Sequence, residues 1–173
     1  KTRGIYLIKG NPLDGFFAET LTRETGCVAP NTVRDVPGVW LVFLADDGVN
    51  ALQGALENDG VPTKVINIGV PIPTTLRKLN RSAVLNATAA VYHRDKEYWL
   101  CLPTTGYADN NLVMVYHYEI AEWSTRENFP VASILETPDA RGNLLFASYA
   151  DTTAHSPDGL AHLGIMVYAR GFA

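Results

Sequence analysis

The sequence predicts an all-β, antiparallel fold, and two observations support this prediction. Short apolar stretches alternate with turn clusters rich in Gly, Asp, Asn and Pro, as in strands joined by tight turns. A strand–turn–strand unit also recurs over 38–52, 97–118 and 142–169, at intervals of roughly 50–60 residues. Hairpins recurring in this way are typical of propeller blades, so we expect an incomplete β-propeller-like array of hairpins.

The N-terminal third of the chain is expected to contain several short strands. Residues 3–10 and 15–21 are apolar stretches beside glycines, and a third short strand is expected at 32–35. The stretch 39–45 is rich in β-branched and aromatic residues and is the strongest strand candidate. The Asp-Asp-Gly that follows it provides a hairpin turn, because Asp-Gly readily adopts the positive φ of tight hairpins, and 49–52 forms the returning strand.

One segment changes its hydrophobic period from about 2 to about 3.6 residues. Ile72, Leu76, Leu79 and Leu85 lie near helical spacing, which predicts one or two short helices near 73–87. Antiparallel strands are expected to flank this segment on both sides.

The hairpin 97–118 is predicted to lie at the centre of the fold. Residues on both faces of its first strand, 97–103, are apolar, and the same is true of its second strand, 112–118. A strand that is apolar on both faces is typically covered on both sides. The turn between the two strands is expected at 104–111.

Three tryptophans, Trp40, Trp99 and Trp123, are predicted to pack between neighbouring blades. Trp123 follows a turn over 119–122 and is expected to close its hairpin onto the next one. A packed Trp contributes about 3–5 kcal/mol, judged by the cost of truncating it to Ala. A platform for stacking a ligand is the alternative interpretation of Trp123.

Composition and charge exclude several classes of function. The chain has 173 residues, of which 47% are hydrophobic, enough for one packed domain over 1–173. The net charge of −4 argues against a nucleic-acid grip or an anionic-membrane surface, since both need clustered Lys and Arg. The apolar runs are too short to span a bilayer, so no membrane partner is expected. Because the sequence begins with Lys, we expect a portion of a longer, β-propeller-containing protein.

No catalytic, cofactor or metal site is predicted. His93 and His117 could be cross-strand neighbours, but no HExxH motif accompanies them, and His155 and His162 flank a polar loop. Cys27 and Cys101 are expected to be free thiols. Three carboxylate pairs could in principle serve glycoside hydrolysis, although turns or strand ends explain each of them. These pairs are Asp46 with Asp47, Asp95 with Glu97, and Glu119 with Glu122.

The order of motifs resembles that of the tail tubular, or nozzle, proteins of short-tailed phages. The segments that carry the resemblance are GIYLIKG, ETGCVAPNTV, GVWLVFLADDGVNAL, IGVPI and the long hairpin AAVYHRDKEYWLCLPTTGYADNNLVMVYHYEIAEWS. Together they cover roughly residues 4–148, and residues 149–173 match no part of the pattern. Members of that family are several times longer than this chain.

The resemblance implies a structural component of the virion tail rather than an enzyme. It implies a homomeric ring, usually a hexamer, that contacts other tail proteins such as the adaptor and fibres. DNA would pass through the lumen of this ring during ejection without being bound specifically. Two alternatives from other classes are a carbohydrate-binding or glycan-degrading propeller used in receptor recognition, and a cellular interaction propeller. The latter is disfavoured because WD40 and kelch signatures are absent.

Overall fold

The computed structural model describes residues 3–54, 62–127, 129–137, 142–148 and 165–168. Within these residues, the chain forms four sheets in which all neighbouring strands are antiparallel. The all-β prediction is therefore confirmed. The described sheets do not close into a barrel or a propeller.

The four sheets follow one another in chain order and are numbered accordingly. Sheet 1 is the hairpin of β1 (Ile5–Asn11) and β2 (Gly15–Thr22). Sheet 2 contains β3 (Arg34–Val36), β4 (Trp40–Ala45), β5 (Gly48–Gly54) and β6 (Pro62–Asn67). Sheet 3 contains β7 (Thr88–Tyr92), β8 (Glu97–Leu102), β9 (Leu112–His117) and β10 (Glu122–Glu127). Sheet 4 contains β11 (Ser133–Glu136), β12 (Leu144–Ala147) and β13 (Ile165–Tyr168).

The helical segment predicted near 73–87 is confirmed. Helix α1 spans Pro73–Arg77, and a turn of 3₁₀-helix follows at Val84–Asn86. A proline at the start of α1 suits the first helical turn, where its missing N–H has no partner to lose. At five residues, α1 is far shorter than a bilayer-spanning helix, and no other helix in the described ranges qualifies either.

The three predicted hairpins are present, but two of them are the middle of larger sheets. The hairpin 38–52 gains β3 and β6, and the hairpin 97–118 gains β7 and β10. The predicted turn at 119–122 ends earlier, because Glu122 already begins β10. In the third hairpin β12 pairs with β13, while its predicted polar tip lies outside the described residues.

Successive sheets pack face to face in chain order, and each sheet-to-sheet contact has its own apolar cluster. Phe43 and Leu52 of sheet 2 pack on Ile5 and Leu21 of sheet 1. The opposite face of sheet 2 packs on sheet 3 through a cluster that includes Val42, Leu44, Leu100 and Met114. The other face of sheet 3 packs on sheet 4 through a cluster that includes Trp99, Val115, Ile134 and Phe146.

In sheets 2, 3 and 4 the first strands of successive sheets lie closest together, whereas sheet 1 approaches sheet 2 through β2 and β6. The backbones of β3 and β7, and of β7 and β11, approach within 8 Å between Cα atoms. Ala89 and Ala90 fill the two faces of β7 and allow this approach. Across sheet 3, one row of directly paired residues consists of Val91, Tyr98, Tyr116 and Trp123. The side chains in this row become larger from β7 to β10. Because the smallest residue of this row lies on the first strand and the largest on the last, we infer that sheets 2 and 3 diverge outward along it.

A buried hydrogen bond ties sheet 3 to the turn that precedes sheet 2. The Tyr98 hydroxyl donates to the carbonyl oxygen of Thr32 at 2.9 Å. The Thr32 hydroxyl in turn donates to the Ala29 carbonyl and accepts the backbone N–H of Leu44 at 3.0 Å. Burial raises the pKa of Tyr98 far above its ordinary value, so this hydroxyl remains a protonated donor at physiological pH.

Replacing Tyr98 with Phe is expected to lower the free energy of unfolding by about 1–2 kcal/mol, because the Thr32 carbonyl loses its buried donor. Urea unfolding followed by circular dichroism measures the change. Tyr107→Phe is the matched control, since Tyr107 is exposed and its hydroxyl removal should leave stability unchanged. Equal effects of the two substitutions would contradict the role assigned to Tyr98.

Candidate functional site

The sequence predicts that three tryptophans pack at the interfaces between successive sheets, so these interfaces are the candidate functional site. The structure places the three tryptophans in three different environments. Trp99 is buried at the interface of sheets 3 and 4, Trp123 is half-buried beside sheet 2, and Trp40 begins β4.

Trp99 lies on β8 and its side chain is fully buried against sheet 4. Its ring centroid is 5.7 Å from that of Phe146, at an interplanar angle of 54°. The guanidinium of Arg126 lies 5.0 Å from the ring centroid, within the range of a cation–π contact. The indole Nε1–H donates to Glu97 Oε2 at 2.8 Å, so the polar atom of the ring has a partner despite its burial.

Trp123 lies on β10 and connects sheet 3 to the end of β6. Its ring packs on Tyr116, with centroids 4.8 Å apart, and its Nε1–H donates to the Ile68 carbonyl at 2.9 Å. The hydrogen bond occupies the indole N–H, and Tyr116 covers part of the ring. These two contacts favour a packing role for Trp123 over a ligand platform.

Trp40 differs from the other two tryptophans because its backbone is strained. Its φ is +79°, and it follows Gly38, whose φ is +76°. A bulky residue in the left-handed region is uncommon and costs of order 1–3 kcal/mol. Trp40 is half-buried, and none of the three apolar clusters of the described residues includes it.

Two polar side chains that sequence reasoning missed hold sheets 3 and 4 together. Glu136 of β11 accepts the backbone N–H of His93 at 2.8 Å, and its other oxygen lies 2.5 Å from His93 Nδ1. Asn110 is fully buried, and its amide nitrogen donates to the carbonyls of Asn86 and Val131. Asn110 lies in a turn-rich stretch where Asn is expected, so nothing in its local sequence indicated that it would be buried.

The histidines do not form the pair that the sequence allowed. In register, His117 lies opposite Glu97 and Glu122, whereas His93 lies in the turn after β7 and bonds to Glu136. Within the described ranges, no group of three or more His, Cys, Asp or Glu residues could hold a metal ion. His155 and His162 lie outside these ranges.

Three of the carboxylates considered for glycoside hydrolysis have structural partners. Asp46 forms an exposed ion pair with Arg81 at 3.3 Å, and Asp47 Oδ1 accepts the side-chain amide of Asn50 at 2.7 Å. Glu97 is buried and accepts the indole N–H of Trp99. Glu119 and Glu122 are exposed at the turn that leads into β10.

Three cavities open on the surface of the described residues. One of about 390 Å³ lies beside α1 and is lined by Asp47, Arg77 and Arg81, among others. One of about 200 Å³ includes Tyr107 and Glu127. The third, of about 250 Å³, lies where β3, β7 and β11 meet. None of the three combines a pair of Trp, Tyr or Phe side chains with a pair of carboxylates, the arrangement that would favour a glycan.

Neither cysteine has the environment of a reactive thiol. Cys101 is fully buried on β8, and burial raises the pKa of its thiol well above the ordinary value. Cys27 is half-buried, and its thiol donates to the carbonyl of Ala29. Both are free thiols in the structure.

The sequence matches no protein-family model, and no curated protein is significantly similar to it. The resemblance to tail nozzle proteins therefore rests on the order of motifs.

The three tryptophans should differ in their contributions to stability. Trp99→Ala is expected to cost about 3–5 kcal/mol, since it opens a cavity between two sheets. Trp123→Ala should cost roughly 2 kcal/mol, because the ring is partly exposed but loses the bond to Ile68. Chemical denaturation of the purified variants measures both values.

Trp40→Gly is the contrasting substitution. It should change the free energy of unfolding by less than about 1 kcal/mol, because relief of backbone strain offsets the lost side-chain contacts. A loss as large as that of Trp99→Ala would mean that Trp40 is a packing residue after all.

Proposed function

We propose that this chain is a structural, non-enzymatic component of a phage tail, part of a β-propeller-like nozzle ring through which DNA passes. The observation that carries the proposal is the stacking of sheets 2, 3 and 4 in chain order, with their first strands closest together. Successive blades of a propeller are stacked in this way around a central axis.

The strand order within the sheets supports the propeller-like part of the proposal. Sheets 2 and 3 are each four-stranded, and each runs from its first strand to its last in sequence order. Four-stranded antiparallel sheets are the usual blades of a propeller. The outward growth in side-chain size on sheet 3 gives such a blade the wedge shape that radial packing requires.

The open ends of the stack support assembly into a larger ring. Sheets 1 and 4, the first and last of the described sheets, expose large apolar side chains such as Ile8, Phe16 and Leu135. Apolar surface of this kind on a folded protein commonly marks a contact with another chain or segment. The ring is proposed to be a homomer, with a hexamer as the expected copy number, and to contact other tail proteins.

The charges of the first strands of sheets 2, 3 and 4 are compatible with a lumen that lets DNA slide. In β3, β7 and β11 the only Lys or Arg is Arg34, and it is followed directly by Asp35. Tight DNA binding depends on many cationic contacts to phosphates. Walls with so few of them would guide DNA without holding it, which suits a channel in the virion tail.

Electron microscopy and sedimentation of the purified chain test this function. We expect ring-shaped particles with the mass of a hexamer and only weak, salt-sensitive binding to DNA. A compact monomer that unfolds in one sharp transition at every concentration would contradict the proposal.

The enzyme alternative has its own test. Incubation with a panel of oligosaccharides should give no turnover, because Asp47 and Glu97 are engaged by Asn50 and Trp99. Turnover that is lost in Asp47→Ala or Glu97→Ala, but kept in Glu119→Ala, would instead support a glycan-degrading protein.

A further inference from the structure

Sheet 1 has one uncharged face that no described part of the chain covers. The register of β1 and β2 pairs Ile8 with Ala18, Tyr6 with Thr20 and Gly10 with Phe16, which places these residues on one face. Ile8 is 77% exposed and Phe16 is 66% exposed. This outer face of sheet 1 is therefore apolar and open.

The opposite face of sheet 1 carries charges and packs on sheet 2 only at its base, and Phe17 on this face is 60% exposed. Ile5 and Leu21 at the base of the hairpin pack on sheet 2, and Lys9 and Glu19 form an ion pair at 2.5 Å farther along. The hairpin is thus held in one orientation, with its uncharged face directed away from sheet 2. A two-stranded hairpin is only marginally stable without further packing, so a partner on the open face would stabilise it.

The far end of the stack offers a matching surface. On β11 and β12, Ile134 and Phe146 face the cluster shared with sheet 3. Their neighbours Leu135 and Leu145 are paired in register and, because side chains alternate, face away from sheet 3. Leu135 is 50% exposed. The outer face of sheet 4 is therefore apolar at this pair.

We propose that the outer face of sheet 1 binds the outer face of sheet 4 of a second copy of this chain. The contact would continue between chains the face-to-face stacking that joins successive sheets within one chain. The two faces are different surfaces, so the contact is head-to-tail, the kind that produces rings when the rotation closes. This inference deepens the proposed function by naming the residues through which the ring would form.

The chemistry of the outer face of sheet 1 favours a protein partner of this kind. Tyr6, Ile8, Phe16, Ala18 and Thr20 carry no charge, so the face has nothing to bind phosphates or lipid headgroups electrostatically. A stable interface buries about 800 Å² on each partner, and a large aromatic residue alone buries roughly 150–250 Å². Tyr6, Ile8 and Phe16 are 41%, 77% and 66% exposed, so these three side chains can supply part of that area and neighbouring residues must supply the rest.

Cross-linking between two differently sized copies of the full chain tests the contact. One copy carries Ile8→Cys and the other Leu135→Cys, both with Cys27→Ser so that the half-buried native thiol cannot react. A short bismaleimide should join the two copies in a mixture and should join neither copy to itself. The matched control carries Ile120→Cys in place of Ile8→Cys. Ile120 is 59% exposed but lies in the turn between β9 and β10, not on sheet 1.

A charge-bearing variant gives an independent measurement. Ile8→Lys with Phe16→Lys should weaken self-association by at least about tenfold in sedimentation equilibrium, because it buries two cations in the contact. Both side chains are exposed, so the thermal unfolding curve should stay close to wild type. Ile120→Lys should leave self-association unchanged.

Several outcomes would overturn the inference. The contact is contradicted if the wild-type chain fails to self-associate, or if the double Lys variant associates as strongly as wild type. It is also contradicted if Ile120→Cys cross-links as well as Ile8→Cys, or if Ile8→Cys copies cross-link efficiently to one another. Rings that form without the mixed cross-link would overturn this contact and leave the proposed function standing. Cross-linked open chains without rings would support the contact and count against the ring.

Discussion

The burial of both faces of sheet 3 is the constraint on which the rest of the fold depends. Every residue of β8 is buried, and its side chains alternate between two different apolar clusters. Tyr98 bonds to the turn before sheet 2, whereas its neighbour Trp99 packs on sheet 4. One strand therefore fixes the positions of the sheets on both of its sides.

The sizes of the side chains on sheet 3 determine how its neighbours are arranged. Alanines on both faces of β7 let β3 and β11 approach closely, while the Tyr116 and Trp123 rings fill the space near β10. Because close packing leaves few voids, such a gradient favours sheets that diverge from a common line. A fan of this kind is open at both ends, which is why we propose assembly as the function.

The sequence predicted the strands that are buried on both faces and also the exposed β1 and β2, but it missed the outer strands β6 and β10. β4, β8 and β9 are continuous apolar runs, whereas β6 and β10 are outer strands with polar residues such as Lys64 and Arg126. Edge strands are commonly charged, so their hydrophobic pattern is weak.

The tryptophans illustrate a second limit of prediction from sequence. Trp40 and Trp99 lie in similar apolar contexts, yet a left-handed backbone after Pro37-Gly38 directs Trp40 into a different environment. The contacts of Glu136 and Asn110 depend on which sheets stack, and that information is not local in the sequence.

Native-state hydrogen exchange, resolved by residue, tests most directly whether sheet 3 holds the fold together. Amides of β8 and β9 should exchange only through global unfolding, with the full denaturant dependence of the unfolding free energy, while amides of β1 and β2 should exchange first. Exchange of β8 amides by local opening, or as fast as that of the β1–β2 hairpin, would contradict the account.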